Sequence, residues 1–397
     1  MPSPKSTAVR LLLPALLGTA GAAQAQQEAN TITTAVPFIT ISPDARSAAL
    51  GDAGAATSPD ANAPFHNAGK LGFLRNPYGA SASYSPWLRN VTDDMSISAL
   101  SGYKKLGERS ALAASLTYFD LGSIDFRSST NQPEGTFNPK EYSVSLTYGQ
   151  KLSEYLGVGV TTRYIRSNLT GSQIADSRPG NAFAVDLGAY YSRDVTIGAG
   201  DYNLAFGAAV SNIGNKITYT RADQADFLPT NLKLGTAITR ELDAFNKITL
   251  TVDANKLLVP TPYYIDGVDS SDPAIVAEND RIARKSIVSG ILGSFSDAPG
   301  GGSEELKEIN LSAGAEYWYN DLLAARVGYF YENPKKGDRQ YLCLGLGLRY
   351  QVFGVDAAYL VPNSRANPLA NTIRVSLHFN FGNASDGGAT SGDSSLN

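Results

Sequence analysis

From about residue 79 almost to the C-terminus, apolar residues alternate one by one with small or polar residues, in segments that reach about ten residues or more. The clearest run is Leu342, Leu344, Leu346, Leu348 and Tyr350, interleaved with Cys343, Gly345, Gly347 and Arg349. Ile309, Leu311, Ala313, Ala315 and Tyr317 repeat the pattern, as do Ile373, Val375, Leu377, Phe379 and Phe381. A strand turns successive side chains to opposite faces, so each segment has one greasy face and one small or wet face. Strands are expected at 79–88, 94–104, 110–120, 139–150, 156–168, 182–193, 202–212, 230–239, 246–255, 307–318, 322–332, 340–351, 352–361 and 371–382.

A soluble sandwich would share the alternation, but its strands are usually shorter than a membrane crossing requires. The connections also alternate. Those at 105–109, 151–155, 240–245 and 319–321 are short; those at 121–138, 169–181, 213–229 and 256–306 are long. Transmembrane barrels have short periplasmic turns and longer outer loops. In lipid an open sheet edge would leave its backbone groups unpaired, so the strands must close on themselves. The expected fold is an all-β, antiparallel transmembrane barrel of about fourteen strands over 79–382, with an even strand number and both ends in the periplasm. A mean hydropathy of −0.16 fits this better than a bundle of spanning helices. The 21 tyrosines suit membrane interfaces.

The first 25 residues read as a signal peptide: Lys5 and Arg10, then an apolar run Leu11–Leu17, then the cleavage site Ala23-Gln24-Ala25. The apolar run is short of the ~20 residues a spanning anchor needs. Residues 26–78 lack the strand rhythm, and small residues are mixed there with Asp44, Arg46, Asp52, Asp60 and Lys70. This segment is expected to plug the barrel, entering from the periplasmic side, with a flexible periplasmic leader as the alternative. The three aspartates do not match a calcium-binding loop, so salt bridges to Arg46 or Lys70 are expected. Residues 383–397, rich in Gly, Ser and Asp, are expected to be a disordered tail.

Within the loop 256–306, Asp272 can cap a helix and Pro273 suits its first turn. Downstream, Ile287, Val288, Ile291, Leu292 and Phe295 form one apolar face, expected to lie over the outer rim, where it could cover the lumen or bind a partner, with packing within the loop the more common case.

Chemistry has few candidates. A net charge of −4 offers no basic excess for nucleic acid. One cysteine, Cys343, and two histidines, His66 and His378, cannot build a disulfide or a Cys/His metal site, and no cofactor is expected. His378 alternates with Leu377 and Phe379, so it should face the lumen rather than lipid; His66 lies in the plug, with a packed or solvated role. No catalytic site is expected.

The stretch from Ile41-Ser42-Pro43-Asp44-Ala45-Arg46 through Gly51-Asp52-Ala53-Gly54-Ala55-Ala56-Thr57-Ser58-Pro59-Asp60-Ala61 resembles the N-terminal signature of the PorV family of the type IX secretion system. Ser211-Asn212-Ile213-Gly214, Leu228-Pro229-Thr230-Asn231-Leu232, Lys256-Leu257-Leu258-Val259-Pro260-Thr261-Pro262 and the run Ser289–Asp297 add to it, so the resemblance covers about 35–382. It implies a FadL-like fourteen-stranded barrel in the outer membrane. It also implies a role in receiving cargo that carries a C-terminal signal domain from the translocon and passing it to the surface attachment complex. A FadL-like transporter of hydrophobic small molecules is the alternative. A lipid-modifying enzyme is a third reading, disfavoured by the scarcity of histidine.

Overall fold

The computed structural model describes residues 30–89, 92–169, 177–198, 200–219, 225–265, 267–363 and 372–382. The expected signal peptide and C-terminal tail lie outside these residues. Fourteen strands close one antiparallel barrel. In chain order they are β1 (Tyr78–Pro86), β2 (Met95–Lys105), β3 (Ser110–Leu121), β6 (Lys140–Lys151), β7 (Leu156–Asn168), β8 (Gly180–Ile197), β9 (Gly200–Gly214) and β10 (Asn231–Glu241), then β11 (Asn246–Leu257), β12 (Ile309–Tyr319), β13 (Leu323–Tyr331), β14 (Gln340–Tyr350), β15 (Phe353–Pro362) and β16 (Ile373–Phe381). Closure is made by β1 and β16, in register from Tyr78 opposite Phe381 to Tyr84 opposite Val375. Two further strands, β4 (Ile124–Arg127) and β5 (Pro133–Phe137), form a separate hairpin inside the expected outer loop 121–138. Their residues are mostly exposed and lack the alternation that marks a wall strand.

The alternation becomes a greasy outside and a filled inside. On β14, Leu342, Leu344, Leu346 and Leu348 are 39–69% exposed on the outer surface, while Cys343 between them is fully buried. The connections sort by length as the sequence suggests. Those after β2, β6, β8, β10, β12 and β14 are short and share one end; the longer ones, including the 51-residue stretch 258–308, share the other. One ladder is irregular. Opposite Asp186 on β8, strand β9 places both Ser211 and Asn212, shifting the register between Val185 and Leu187. Asn212 takes a positive φ of 61° there, and its amide donates to the Asp186 carboxylate at 2.7 Å, so the bulge is stitched shut.

Residues 30–77 run through the lumen, and their direction corrects one expectation. Asn30 lies at the long-loop end, where its amide donates to the Pro262 carbonyl and to Glu304. Ala35 bonds Phe227 of another long loop, and Phe38 packs against Phe119. Farther on, Phe73 lies beneath the Lys151 ammonium at the short-turn end, and the chain enters β1. The segment therefore descends from the long-loop mouth instead of entering from the periplasmic side. An even strand number places Tyr78 and Phe381 at the same end, but it does not dictate how the chain reaches Tyr78. The described chain consequently begins and finishes at opposite ends of the barrel.

This path predicts a labelling pattern. Thr33 and Asp243 are both exposed, at the long-loop and short-turn ends respectively. A membrane-impermeant maleimide added to intact cells should label Thr33→Cys, and should label Asp243→Cys only after the outer membrane is permeabilised. Labelling of Thr33→Cys only after permeabilisation would contradict the descent.

Candidate functional site

The lumen segment is built from short helical turns, none longer than six residues. Helix α1 (Ala45–Ala49) is a single turn in which small residues flank Arg46. Asp44 caps it by accepting the Ser47 amide at 2.8 Å, and Gly51 turns the chain back at a φ of 69°. The wall leaves room for this backbone with inward glycines. A Cβ on Gly207 would lie 2.0 Å from the Ala55 carbonyl oxygen, and one on Gly328 would lie 2.2 Å from the Gly51 nitrogen. The plug backbone occupies the space these glycines leave.

Arg46 is the electrostatic centre of the plug. Its Nε and Nη2 donate to the two Glu316 oxygens of β12 at 2.9 and 2.8 Å, a bidentate pair. Nη1 donates to Asp60 at 2.8 Å and to the Ser58 carbonyl. Beyond Glu316 the charges continue along the wall. Arg326 donates to Glu316 at 2.6 Å and to Asp356 at 2.8 Å. Asp356 also accepts two bonds from Arg349, and His378 Nε2 lies 2.7 Å from it. Trp318 faces both guanidinium groups, about 5.3 Å from Arg326 and 5.4 Å from Arg349. The result is an alternating chain of positive and negative groups from the plug to β16.

The other sequence candidates are all in the lumen, with partners only partly as expected. Asp60 pairs with Arg46, as anticipated; burial opposes its ionisation, but Arg46 holds the carboxyl below the usual range. Asp44 pairs instead with His66, at 2.6 Å. Burial again opposes the charge, and His66 together with the Ser47 amide outweighs it, leaving Asp44 well below the usual carboxylate range. Asp52 bonds the Tyr341 hydroxyl at 2.5 Å and lies 3.2 Å from Arg374. Lys70 forms none of the expected salt bridges; it donates to the Gly54 carbonyl and to Thr57, and burial pushes its ammonium down to about 8.

Ser47, His66 and Asp44 form a Ser–His–Asp contact, but both Ser47 Oγ and Asp44 Oδ1 approach the same nitrogen, His66 Nε2. A hydrolytic triad uses the two ring nitrogens separately. The other ring nitrogen, Nδ1, faces Gly54, where an added Cβ would be 2.5 Å away. The three residues thus cap a turn and fasten α1 to α2 (Ala63–His66).

The plug divides the lumen. Above it, toward the long loops, lies a cavity of about 370 Å³ bordered by Ser42, Asp52, His66, Lys233 and Arg374. Below it lies one of about 730 Å³ bordered by Arg46, Asp60, Arg75, Lys151 and Trp318. Among the described residues no group of His, Cys, Asp and Glu is arranged to hold a metal ion.

At the long-loop end, the stretch after β11 folds into α3 (Pro273–Ala283), α4 (Ile287–Gly293) and α5 (Gly302–Glu305). Asp272 caps α3 with Pro273 at its start, as the sequence suggests. The apolar face, however, does not continue one helix. Ser286 caps a new one, and Lys216 binds the Ala283 and Lys285 carbonyls where α3 stops. Ile287 and Ile291 are half-buried on the inner side, with Gly290 packed on Phe227. Val288, Leu292 and Phe295 are 66%, 70% and 51% exposed. The base of the loop is locked by Lys256 to Glu305 and Glu308, and by Lys336 to Glu304 and Glu308. Ile275, which anchors α3 at 2% exposure, was missed by the sequence reading, as were Glu316, Arg326, Asp356 and Arg374. The wall charges carried one usable signal: each stands at an inward position of an alternating strand, where a charge needs a partner.

The shared carboxylate gives a test. Glu316→Gln should leave Arg46 and Arg326 competing for a neutral amide, and breaking such a buried pair costs about 3–5 kcal/mol. Cys343 lies on the inner wall against α1. In a barrel that still shows heat-modifiable mobility, its maleimide labelling should rise roughly a hundredfold or more. Unchanged labelling would mean that Arg46 does not hold the plug.

No curated protein matches the sequence. Among solved structures, the toluene transporter TbuX of Ralstonia pickettii is 13% identical, with a TM-score of 0.47 over 86% of this chain and 98% of that one. A FadL homologue of Pseudomonas aeruginosa is 11% identical, with a TM-score of 0.44 over 89% and 100%. The sequence model described as type IX secretion system protein PorV matches residues 24–264, which include the plug with its Arg46 centre and the wall through β11. On that match, and with a closed fourteen-stranded barrel around the matched plug, this chain is an outer-membrane protein belonging to the PorV family of the type IX secretion system.

Proposed function

We propose that this protein acts at its outer rim, as the secretion component that binds cargo bearing a C-terminal signal domain. It receives that cargo from the translocon and hands it to the surface attachment complex. The observation that carries this reading is the occupied lumen. Among the described residues a plug pressed against wall backbone and fastened by buried ion pairs fills the lumen between the two cavities, which favours work on protein cargo at the outside. The rim offers a surface for it. Val288, Leu292 and Phe295 expose one apolar face on a loop whose base is locked by buried ion pairs, and Ile287 and Ile291 hold that face in place. The protein needs no catalytic group for this role, and we assign it none.

The alternative, a transporter of hydrophobic small molecules, would use a lateral opening in the wall. The β1–β2 ladder runs unbroken through Pro86, and the bulge at Asp186 is closed by its own hydrogen bond, which favours the rim reading.

Complementation separates the two. In a strain lacking the protein, the double variant Leu292→Asp and Phe295→Asp should restore barrel abundance but leave signal-domain cargo unprocessed in the periplasm. Normal surface cargo, together with lost uptake of a fatty acid or hydrocarbon in the deletion strain, would favour the transporter.

A further inference from the structure

The lipid-facing wall is not evenly greasy. On its outer surface, β6 to β10 enclose a groove of about 520 Å³. The floor is Ala189 and Ala208, opposite one another across β8 and β9. The rows on either side carry large side chains, Leu187 opposite Val210 and Tyr191 opposite Phe206. One of these rows continues through Val160 to Tyr148 and through Val210 to Leu232. The depression thus follows the pairing direction across five strands, a length of roughly 19 Å at the usual strand spacing.

The inner face explains why the wall is thin here. Gly188 and Gly207 stand next to the floor alanines and lie directly on the plug: added Cβ atoms would meet Asn67 Oδ1 at 2.4 Å and the Ala55 carbonyl oxygen at 2.0 Å. Asn67 also donates to the Ala189 carbonyl at 2.9 Å. The ladder through the floor is continuous, pairing Val158 with Ala189 and Ala189 with Ala208, so the groove is not an opening into the lumen.

We infer that this groove is a binding site for one acyl chain of an inner-leaflet phospholipid. It is continuous with the apolar belt that already meets hydrocarbon, so a chain lying in it leaves no void between protein and lipid. Its lining is apolar except at one end. There Gln150, one residue from the short-turn end of β6, accepts the Tyr148 hydroxyl at 3.1 Å, which sets polar groups at the level of the inner headgroups. Leu232, paired with Val210, lines the opposite end. A chain entering beside Gln150 and lying across Ala189 and Ala208 satisfies both ends. The site is independent of the rim proposed for cargo.

The test uses full-length protein in vesicles containing phosphatidylethanolamine with a photoreactive diazirine on one acyl chain, followed by mapping of adducts. Adducts at Val158, Val160, Leu187 and Ala208 should exceed those at Leu344 and Leu346, which face lipid on the other side, by several-fold. The double variant Ala189→Phe and Ala208→Phe fills the groove and should abolish that excess while the barrel keeps its heat-modifiable mobility. Adducts spread evenly around the belt in the wild-type protein would overturn the site whether or not the variant folds. So would groove adducts unchanged in a folded variant. A photoreactive residue at Val160 that captures a partner protein instead of lipid in cells would overturn it in favour of a protein contact.

Discussion

Backbone hydrogen bonding is the constraint from which the rest of this structure follows. Hydrocarbon offers no partner for an amide or a carbonyl, so a sheet that spans it must have no free edge. The pairing of β1 with β16 meets that requirement. It also sets the size of the interior, because a ring of fourteen strands is wider than its own inward side chains can fill. The lumen segment is the answer to that excess space. It enters as bare backbone laid against glycines, which is why Gly207 and Gly328 are so tightly placed.

Filling the lumen with a polar segment creates a second requirement. Charges removed from water must find partners. Arg46 and Glu316 meet it across the boundary between plug and wall, and Arg326, Asp356 and Arg349 carry the alternation onward. Such a network is a weak source of net stability but a strict one of position, since any displaced plug would leave a buried charge alone. Lys70 illustrates the opposite case. It is buried and its direct hydrogen-bond acceptors are neutral, so burial outweighs the more distant carboxylates, and its lowered pKa means that the folded state holds this proton less tightly than the unfolded chain. Its contribution to stability therefore rises with pH between about 8 and the ordinary lysine value.

With the interior occupied, the surfaces remain for function. The two faces of the wall are closely linked, because the positions that admit the plug on the inside also leave shallow ground on the outside. Ala189 and Ala208 lie one residue from Gly188 and Gly207, and together they make a wall with almost no side chain on either face. The rim is different. There the loops pack on each other through Lys216, Lys256 and Lys336, and hold an apolar helix face outward.

The sequence by itself determined the barrel, its near count of strands and which residues face lipid, because alternation at period two is a local property written residue by residue. It also marked Asp44, Arg46, Asp52, Asp60 and Lys70 as unusual in a segment without strand rhythm, and it placed His378 inside. Only the tertiary structure decided who pairs with whom. Arg46 and Glu316 are 270 residues apart, and nothing local connects them. The path of the plug was equally hidden, since parity governs the strand ends but not the course of a segment threading between them. The break between α3 and α4 depended on Lys216 from another loop. Periodicity reports which way a side chain points; what it meets there is settled by the closing of the ring.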